Sequence, residues 1–139
     1  MTWHEIVTEQ LIRHEEKRSK PYPDSKGLIT IGIGRCLDKK PLKDAEIMFL
    51  FEYDLADAED DARALLGDPC FEALSDVRKA VVVNMAFNLG LPKLRKFVKF
   101  IAAVKAGQWS NAAKEMRDSD WSKDVKGRAD ELIALMERG

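Results

Sequence analysis

The hydrophobic positions of the first 18 residues recur at helical spacing. One face carries Trp3, Ile6, Val7 and Leu11. This pattern predicts an amphipathic helix from Trp3 to about Arg18. Thr2 can cap this helix, with Glu5 as its capping-box partner. Trp3, like Trp109 further along, is expected in the core.

A change of pattern follows at Pro21 and Pro23, which exclude a helix. The stretch "GLITIGIG" is β-branched and aliphatic, and glycines punctuate it. It predicts a short pair of strands that turns at residues 24–27. This is the one convincing β-signal in the chain.

Helical patterns resume after Pro41 and continue to the end of the sequence. A long helix is predicted from about Lys43 to Leu66, where Gly67 and the following Asp-Pro stop it. "SDVRKAVVVNMAFNLG" predicts a second helix, with Ser75 or Asp76 as N-cap and Gly90 as the stop. Its apolar centre predicts the buried helix of the fold, with Asn84 as a buried, hydrogen-bonded amide. Three further helical segments follow.

Composition narrows the class of protein. The chain has 139 residues, a length that allows one domain with a hydrophobic core. Its net charge of −1 disfavours nucleic-acid binding. Residues 38–76 hold 4 Lys or Arg against 12 Asp or Glu, whereas residues 88–139 hold 11 against 7. The basic part includes "KLRKFVK" at 93–99. This stretch indicates either a solvated helix face or a surface that contacts an anionic polymer of the cell envelope.

Leader and anchor signals are not found in the sequence. The N-terminal stretch carries charges every few residues and lacks an apolar core, and no later run is long enough to span a membrane. Cys36 and Cys70 do not form a disulfide framework or a CxxC motif, which favours a reduced pair. We therefore expect a protein made in a cytoplasm, without stable membrane insertion. His4 and His14 lack metal-ligand spacing, so no metal site is predicted.

Two acidic residues stand close together where the first helix meets the small sheet. Glu15 lies near the predicted helix end, Asp24 lies in the turn, and Thr30 follows on the next strand. Two carboxyl groups on different rigid elements, one protonated and one ionised, are what glycosidic bond cleavage requires. Spacing alone leaves open that both acids are simply solvated.

The same residues carry a resemblance to a known family. "HEE…YPDSKGLITIGIG" resembles the signature of the phage-type lysozymes of glycoside hydrolase family 24: a Glu, eight residues, an Asp, five residues, a Thr, then Gly-x-Gly. Glu15, Asp24, Thr30, Gly32 and Gly34 stand at those spacings. "VVVNMAFNLG" and the segments around "W…GRA" resemble the family's later helices, so the likeness covers nearly the whole chain, with a shortened stretch between residues 37 and 45.

The resemblance implies an α+β, mainly helical lysozyme-like fold. Residues 1–139 would form a single lysozyme domain, with a small N-terminal lobe that holds a short antiparallel sheet. A long connecting helix and a helical C-terminal lobe would follow, with a cleft between the lobes. The implied activity is inverting hydrolysis of the β-1,4 bond between N-acetylmuramic acid and N-acetylglucosamine in peptidoglycan, without a cofactor.

Site roles follow from the resemblance position by position. Glu15 would be the general acid, Asp24 would deprotonate the attacking water, and Thr30 would help to hold that water. The residues implied to contact substrate or to line the cleft are Phe87, Asn88, Trp121 and Arg128. Arg128 would also reach back to Glu15 and fix its rotamer.

Some positions depart from the family pattern. Arg35 stands where the family commonly has His, and Asp54 stands at the position of that histidine's aspartate partner, so we predict an Arg35–Asp54 ion pair. Asp124 replaces a common glutamine and adds an acid near the cleft. The substrate contacts of three further positions, whose residue types differ, are not carried over: Cys36, Phe100 and Glu115.

The implied biological role is that of a phage or prophage endolysin. Such a protein would accumulate as a monomer in the host cytoplasm and need a holin for release to the cell wall. Three alternatives remain: a lytic transglycosylase acting on the same bond, a cell-wall-binding module without catalysis, and a helical DNA-binding protein. The complete Glu15–Asp24–Thr30 set argues against the first two, and only the basic C-terminal half favours the third.

Overall fold

The computed structural model describes all 139 residues, Met1 to Gly139. The chain divides into two compact units, Met1–Phe49 and Leu50–Gly139. Nine helices and one small antiparallel sheet near the N-terminus give a mainly helical α+β fold, as predicted.

The first unit holds one helix and the whole sheet. Its elements are α1 (Trp3–Glu15), β1 (Lys17–Pro23), β2 (Ile29–Ile33) and β3 (Arg35–Cys36). The strands are antiparallel in the order β1-β2-β3. The predicted strand pair is confirmed, whereas β3 and the early start of β1 were not predicted.

The start of α1 follows the predicted capping chemistry. The Thr2 hydroxyl accepts a hydrogen bond from the Glu5 N–H at 3.2 Å, and the Glu5 carboxylate accepts one from the Thr2 N–H at 2.7 Å. The expected burial is wrong, because α1 has no buried residue and Trp3 is 69% exposed. The Trp3 ring stacks on the neighbouring His4 ring instead of entering a core.

The long helix α2 (Asp44–Leu66) begins in the first unit and continues into the second. Its bounds lie within one residue of the prediction. Seven helices follow in the second unit. They are α3 (Asp68–Ala73), α4 (Asp76–Leu89), α5 (Leu91–Leu94), α6 (Val98–Lys105), α7 (Trp109–Arg117), α8 (Asp120–Asp124) and α9 (Lys126–Arg138).

The core of the second unit forms around α4, as predicted. Ser75 caps this helix through its hydroxyl, which accepts from the Arg78 N–H at 3.2 Å, and Gly90 ends it at φ 79°. The buried side chains of α4 are Val81, Val82, Met85 and Ala86. Their neighbours in the same core include Leu94, Phe100, Met116, Trp121 and Met136. The prediction for Asn84 is wrong, because this residue lies on the exposed side of α4.

Arg78 ties α4 to the end of α9. Its Nε donates to the Met136 carbonyl at 2.8 Å and its Nη2 donates to the Glu137 carbonyl at 3.1 Å. These carbonyls belong to the last turn of α9, where a cation is favoured. The guanidinium also lies 3.9 Å from the ring centroid of Trp109, which packs against the core with partial burial. Trp109 therefore lies at the edge of the core rather than within it.

Candidate active site

The turn between β1 and β2 is organised by Asp24. The Asp24 N–H donates to the Leu28 carbonyl at 2.8 Å, and the Gly27 N–H donates to the Asp24 carbonyl at 2.9 Å. The Asp24 Oδ1 accepts from the backbone N–H groups of Lys26 at 2.8 Å and Leu28 at 2.9 Å. This side-chain-to-backbone bonding explains why the sequence places Asp at the first position of the turn.

The same hydrogen bonds set the charge of the carboxyl group. The N–H groups of Leu28 and then Lys26 lower the pKa of Asp24, since they donate to its ionised form. Lys39 and Lys26 lower this pKa further through their positive charge. Asp24 is therefore held as a carboxylate, which is the state that a general base requires.

Thr30 lies at the centre of the sheet. It pairs with Tyr22 on β1 and with Cys36 on β3, and it is only 4% exposed. Its hydroxyl donates to the Leu28 carbonyl at 3.2 Å. The N–H of the same residue, Leu28, donates to Asp24. Thr30 and Asp24 are thus joined through one backbone residue. With its proton on that carbonyl, the Thr30 oxygen keeps the capacity to accept a hydrogen bond from a ligand.

Glu15 is the last residue of α1, and the chain turns sharply directly after it. Glu16 has φ 60° and ψ 145°, and it is the one residue other than glycine with positive φ. Backbone strain of this kind concentrates at functional sites. The Glu15 carboxyl group lies against the backbone of Gly34, since a Cβ built on that glycine would be 2.6 Å from Oε2.

The predicted partner of Arg35 is wrong. The Arg35 guanidinium donates to both carboxylate oxygens of Glu46, not to Asp54, and it also donates to the carbonyls of Lys40 and Pro41. All of its donor nitrogens are therefore engaged between β3 and the start of α2. The planar guanidinium suits this bidentate geometry, and Glu46, on the first turn of α2, is the carboxylate that meets it.

Two of the predicted substrate residues line one depression in the second unit. Phe87 and Arg128 border a cavity of ≈ 300 Å³. Phe87 is 45% exposed, and its ring centroid lies 6.0 Å from that of Phe51 in the same cavity. Asn84 lines it as well, on the exposed side of α4. A partly exposed aromatic ring beside a guanidinium and an amide can contact a sugar ring and its polar substituents.

The other two predicted substrate residues are joined by a hydrogen bond. The Trp121 Nε1 donates to the Asn88 Oδ1 at 2.8 Å, and both residues line a second depression of ≈ 430 Å³. The Trp121 side chain is buried, whereas Asn88 is exposed. This pairing fixes the orientation of the Asn88 amide, because its oxygen is committed to the indole. The Asn88 N–H₂ group remains as a donor.

Charged side chains that the sequence did not single out line this second depression. Lys93 and Lys96 come from the basic stretch, and Asp120 lines the depression together with Asp124, the acid already noted as a departure. Lys96 also borders a neighbouring depression of ≈ 420 Å³ that includes Glu115. The basic pattern at 93–99 was the available signal, but it could not tell which lysines face a depression.

Comparison with known proteins decides the family. The family model for phage lysozyme matches residues 12–138. The chain belongs to the phage lysozyme family. This membership supports a lysozyme-type glycoside hydrolase with peptidoglycan as its substrate.

Three proteins illustrate the range of similar sequences. The pre-baseplate central spike protein Gp5 of Enterobacteria phage T4 is 32% identical over 96% of this chain, which spans only 28% of that protein. Two probable T4-type lysozymes of Dictyostelium discoideum are 24% and 22% identical. The alignments cover 96% and 93% of this chain, and 94% and 92% of the two lysozymes. Phage lysozyme sequence thus occurs both as a whole protein and as part of a longer one.

Two further features bear on the class of protein. No helix of the structure combines the length and apolar character needed to cross a membrane. No group of three or more His, Cys, Asp or Glu side chains is placed to hold a metal ion.

Proposed function

We propose that this phage lysozyme hydrolyses the β-1,4 bond between N-acetylmuramic acid and N-acetylglucosamine in peptidoglycan, with inversion at the anomeric carbon. Glu15 is the general acid, Asp24 is the general base, and Thr30 supports the attacking water. The reaction needs no metal or cofactor. In inverting enzymes the two carboxyl groups are separated by a gap that admits one water molecule.

The observation that carries this proposal is the bonding of Asp24. Two backbone N–H groups at 2.8 and 2.9 Å hold its Oδ1 and lower the pKa of its carboxyl group, so the base is ionised. The carboxylate retains its second oxygen, Oδ2, for a water molecule. Glu15 belongs to the same unit, on the element that precedes β1.

The proposed step conserves protons and bonds. Glu15 donates its proton to the glycosidic oxygen as the bond from that oxygen to the anomeric carbon breaks. Asp24 accepts a proton from the water whose oxygen bonds to the opposite face of the same carbon. The products are a free hydroxyl on one fragment and an inverted reducing end on the other.

The second unit supplies the proposed sugar-binding side chains. Phe87 offers a partly exposed ring, and Arg128 lines the same cavity as a donor. Asn88, held by Trp121, offers a directed amide donor. The contact that we expect between Arg128 and Glu15 stays a prediction.

The experiment is a turbidity assay on bacteria whose outer membrane has been removed, comparing the wild type with Glu15→Gln. Loss of the proton donor is expected to lower the lytic rate about 10²–10⁴-fold. Glu16→Gln is the matched control, because it makes the same chemical change one residue away and is expected to keep activity. Equal activity of wild type and Glu15→Gln would remove the assignment of the acid.

Product analysis separates the rival activities. Mass spectrometry of digested cell wall should show products that carry one added water, whereas a lytic transglycosylase gives an anhydro product. A binding module would adsorb to peptidoglycan but release no reducing ends. An anhydro product, or binding without release of reducing ends, would contradict the proposed hydrolysis.

The biological role that we propose is that of a monomeric endolysin, stored in the host cytoplasm and released to the wall by a holin. Expression in bacteria tests this role. Lysis is expected only when a membrane-permeabilising protein is expressed with the chain. Lysis without it would show that the chain reaches the wall by another route.

A second role is favoured by one comparison. The chain is similar to a baseplate central spike protein over 96% of its length. This similarity favours a role as a peptidoglycan-hydrolysing component of a phage particle. Immunodetection would distinguish the two roles, since an endolysin is expected in infected cells and absent from purified particles. The chemistry at Glu15 and Asp24 would be the same in both.

A further inference from the structure

A Cβ added to Gly34 would overlap the end of the Glu15 side chain in the position that this side chain occupies in the structure. A Cβ on Gly34 would lie 2.6 Å from Glu15 Oε2, 2.8 Å from its Cδ and 3.0 Å from its Cγ. Attractive contacts between carbon atoms lie at about 3.5–4.0 Å. The end of the Glu15 side chain thus lies in the space beside Gly34 that a Cβ would need.

Two glycines of the same strand region share a backbone conformation but differ in what lies beside them. Gly32 and Gly34 have almost the same positive φ, 69° and 66°. A Cβ on Gly32 would meet nothing within 4 Å, whereas one on Gly34 would meet Glu15. The first glycine is required by its dihedral angles, and the second is required both by its angles and by its neighbour.

The backbone at Gly34 is held in place by the next residue. Arg35 pairs with Ile31 across the sheet, and its side chain donates to the Lys40 carbonyl at 2.8 Å, to the Pro41 carbonyl at 2.8 Å and to Glu46. These bonds anchor the segment that begins at Gly34. Contact between Gly34 and Glu15 is therefore made against a fixed surface.

We propose that Gly34 is a positioning residue for the general acid, and that its bare backbone sets the rotamer from which Glu15 donates its proton. This inference rests on the proposed role of Glu15. The Glu15 side chain is flexible and exposed, so it would yield to a Cβ more readily than the anchored backbone. A side chain at position 34 would thus displace the acid while leaving the fold intact. A misplacement of about 1 Å can lower an enzymatic rate about 100-fold.

Gly34→Ala and Gly32→Ala form a matched pair for the test. Both introduce a Cβ at positive φ, so both should lower Tm by a similar few degrees. On soluble peptidoglycan fragments, Gly34→Ala is expected to lower kcat about 100-fold with KM changed less than about threefold. Gly32→Ala should retain kcat within about fivefold of the wild type. Equal kcat in the two variants would overturn the proposal.

A second measurement does not depend on turnover. The ¹³C NMR signal of the Glu15 carboxyl carbon, assigned by its loss in Glu15→Gln, reports the environment of that group. It should shift in Gly34→Ala and stay in place in Gly32→Ala. An unshifted signal in Gly34→Ala would refute the contact even in an active enzyme, whereas an inactive wild type with the expected shift would refute the proposed function alone.

Discussion

Arg35 and Glu46 form a bidentate ion pair that joins β3 to the first turn of α2. The Arg35 Nη1 lies 2.6 Å from the Glu46 Oε2, and Nη2 lies 2.9 Å from Oε1. Glu46 Oε1 also accepts from the Lys43 N–H at 2.9 Å, so the carboxylate caps α2 as well. These bonds, with the Arg35 bond first, lower the pKa of Glu46 to about 2.

The low pKa of Glu46 predicts a specific dependence of stability on pH. Because the folded-state pKa lies below the ordinary value of 4.5, the pair stabilises the fold fully above pH 4.5. This contribution is lost as pH falls from 4.5 toward about 2. Glu46→Gln, which can still accept from Lys43, should lower Tm at pH 7 by a few degrees and weaken the decline of Tm over that pH range.

Glu16→Gln is the control for this measurement. It removes the Arg18–Glu16 ion pair, whose two side chains are 49% and 66% exposed. Exposed pairs of this kind add little to stability, so its thermal denaturation curves should follow the wild type at each pH. If Glu46→Gln follows the wild type as well, the ion pair does not stabilise the fold.

Asp24 should separate structural from chemical effects when it is replaced in two ways. Asp24→Asn keeps an oxygen that can accept from Lys26 and Leu28, so Tm should stay within about 2 °C of the wild type, a shift of less than about 1 kcal/mol. The base is lost, however, and lytic activity should fall about 100-fold or more. Asp24→Ala removes the acceptor, so both Tm and activity should fall.

Calorimetry and the turbidity assay check this pair of variants. An active Asp24→Asn would show that the carboxylate is not the base. A Tm that falls equally in the two variants would show that the turn does not depend on the side-chain acceptor.

The hydrogen bond from Trp121 to Asn88 gives a prediction for the second unit. Asn88→Ala leaves the indole N–H of a buried side chain without its 2.8 Å partner. Such a loss costs about 1–3 kcal/mol. Asn88→Asp keeps the accepting oxygen and should retain most of the stability. Denaturant unfolding of the two variants measures the difference, and equal losses would mean that the bond contributes nothing.

The sequence predicted those parts of the fold that local rules determine. The Thr2 cap, the ends of α2 and α4, and the Asp24 turn each depend on residues a few positions apart. The exposure of Trp3 did not follow, because helical periodicity shows which side chains share a face but not whether anything covers that face.

For the candidate site, spacing and resemblance point to Glu15, Asp24 and Thr30, and their catalytic roles stay a prediction. The structure adds how Asp24 is held. The partner of Arg35 was predicted wrongly because a family position was carried over although the residue type had changed. A guanidinium reaches further than an imidazole and offers more donors, so it bonds to Glu46 and to two loop carbonyls. The contact between Gly34 and Glu15 joins residues 19 positions apart, and no local pattern shows it.

Glu16 supports a final prediction, in which a single substitution raises stability. Its φ of 60° and ψ of 145° suit glycine, and a side chain there costs about 1–3 kcal/mol. Glu16→Gly should relieve this strain. It would give up about 0.5–1 kcal/mol of chain entropy and under about 1 kcal/mol from the exposed pair with Arg18.

The relief of strain is the larger effect, so Glu16→Gly should raise the free energy of unfolding by about 1 kcal/mol. Glu16→Ala is the matched control, because it also removes the ion pair but keeps a Cβ at positive φ. It should leave stability unchanged or slightly lower. Denaturant unfolding measures both variants. Since the strained residue directly follows Glu15, a more stable Glu16→Gly that also lost lytic activity would show that the strain helps to aim the acid, whereas full activity would assign it to the chain reversal between α1 and β1 alone.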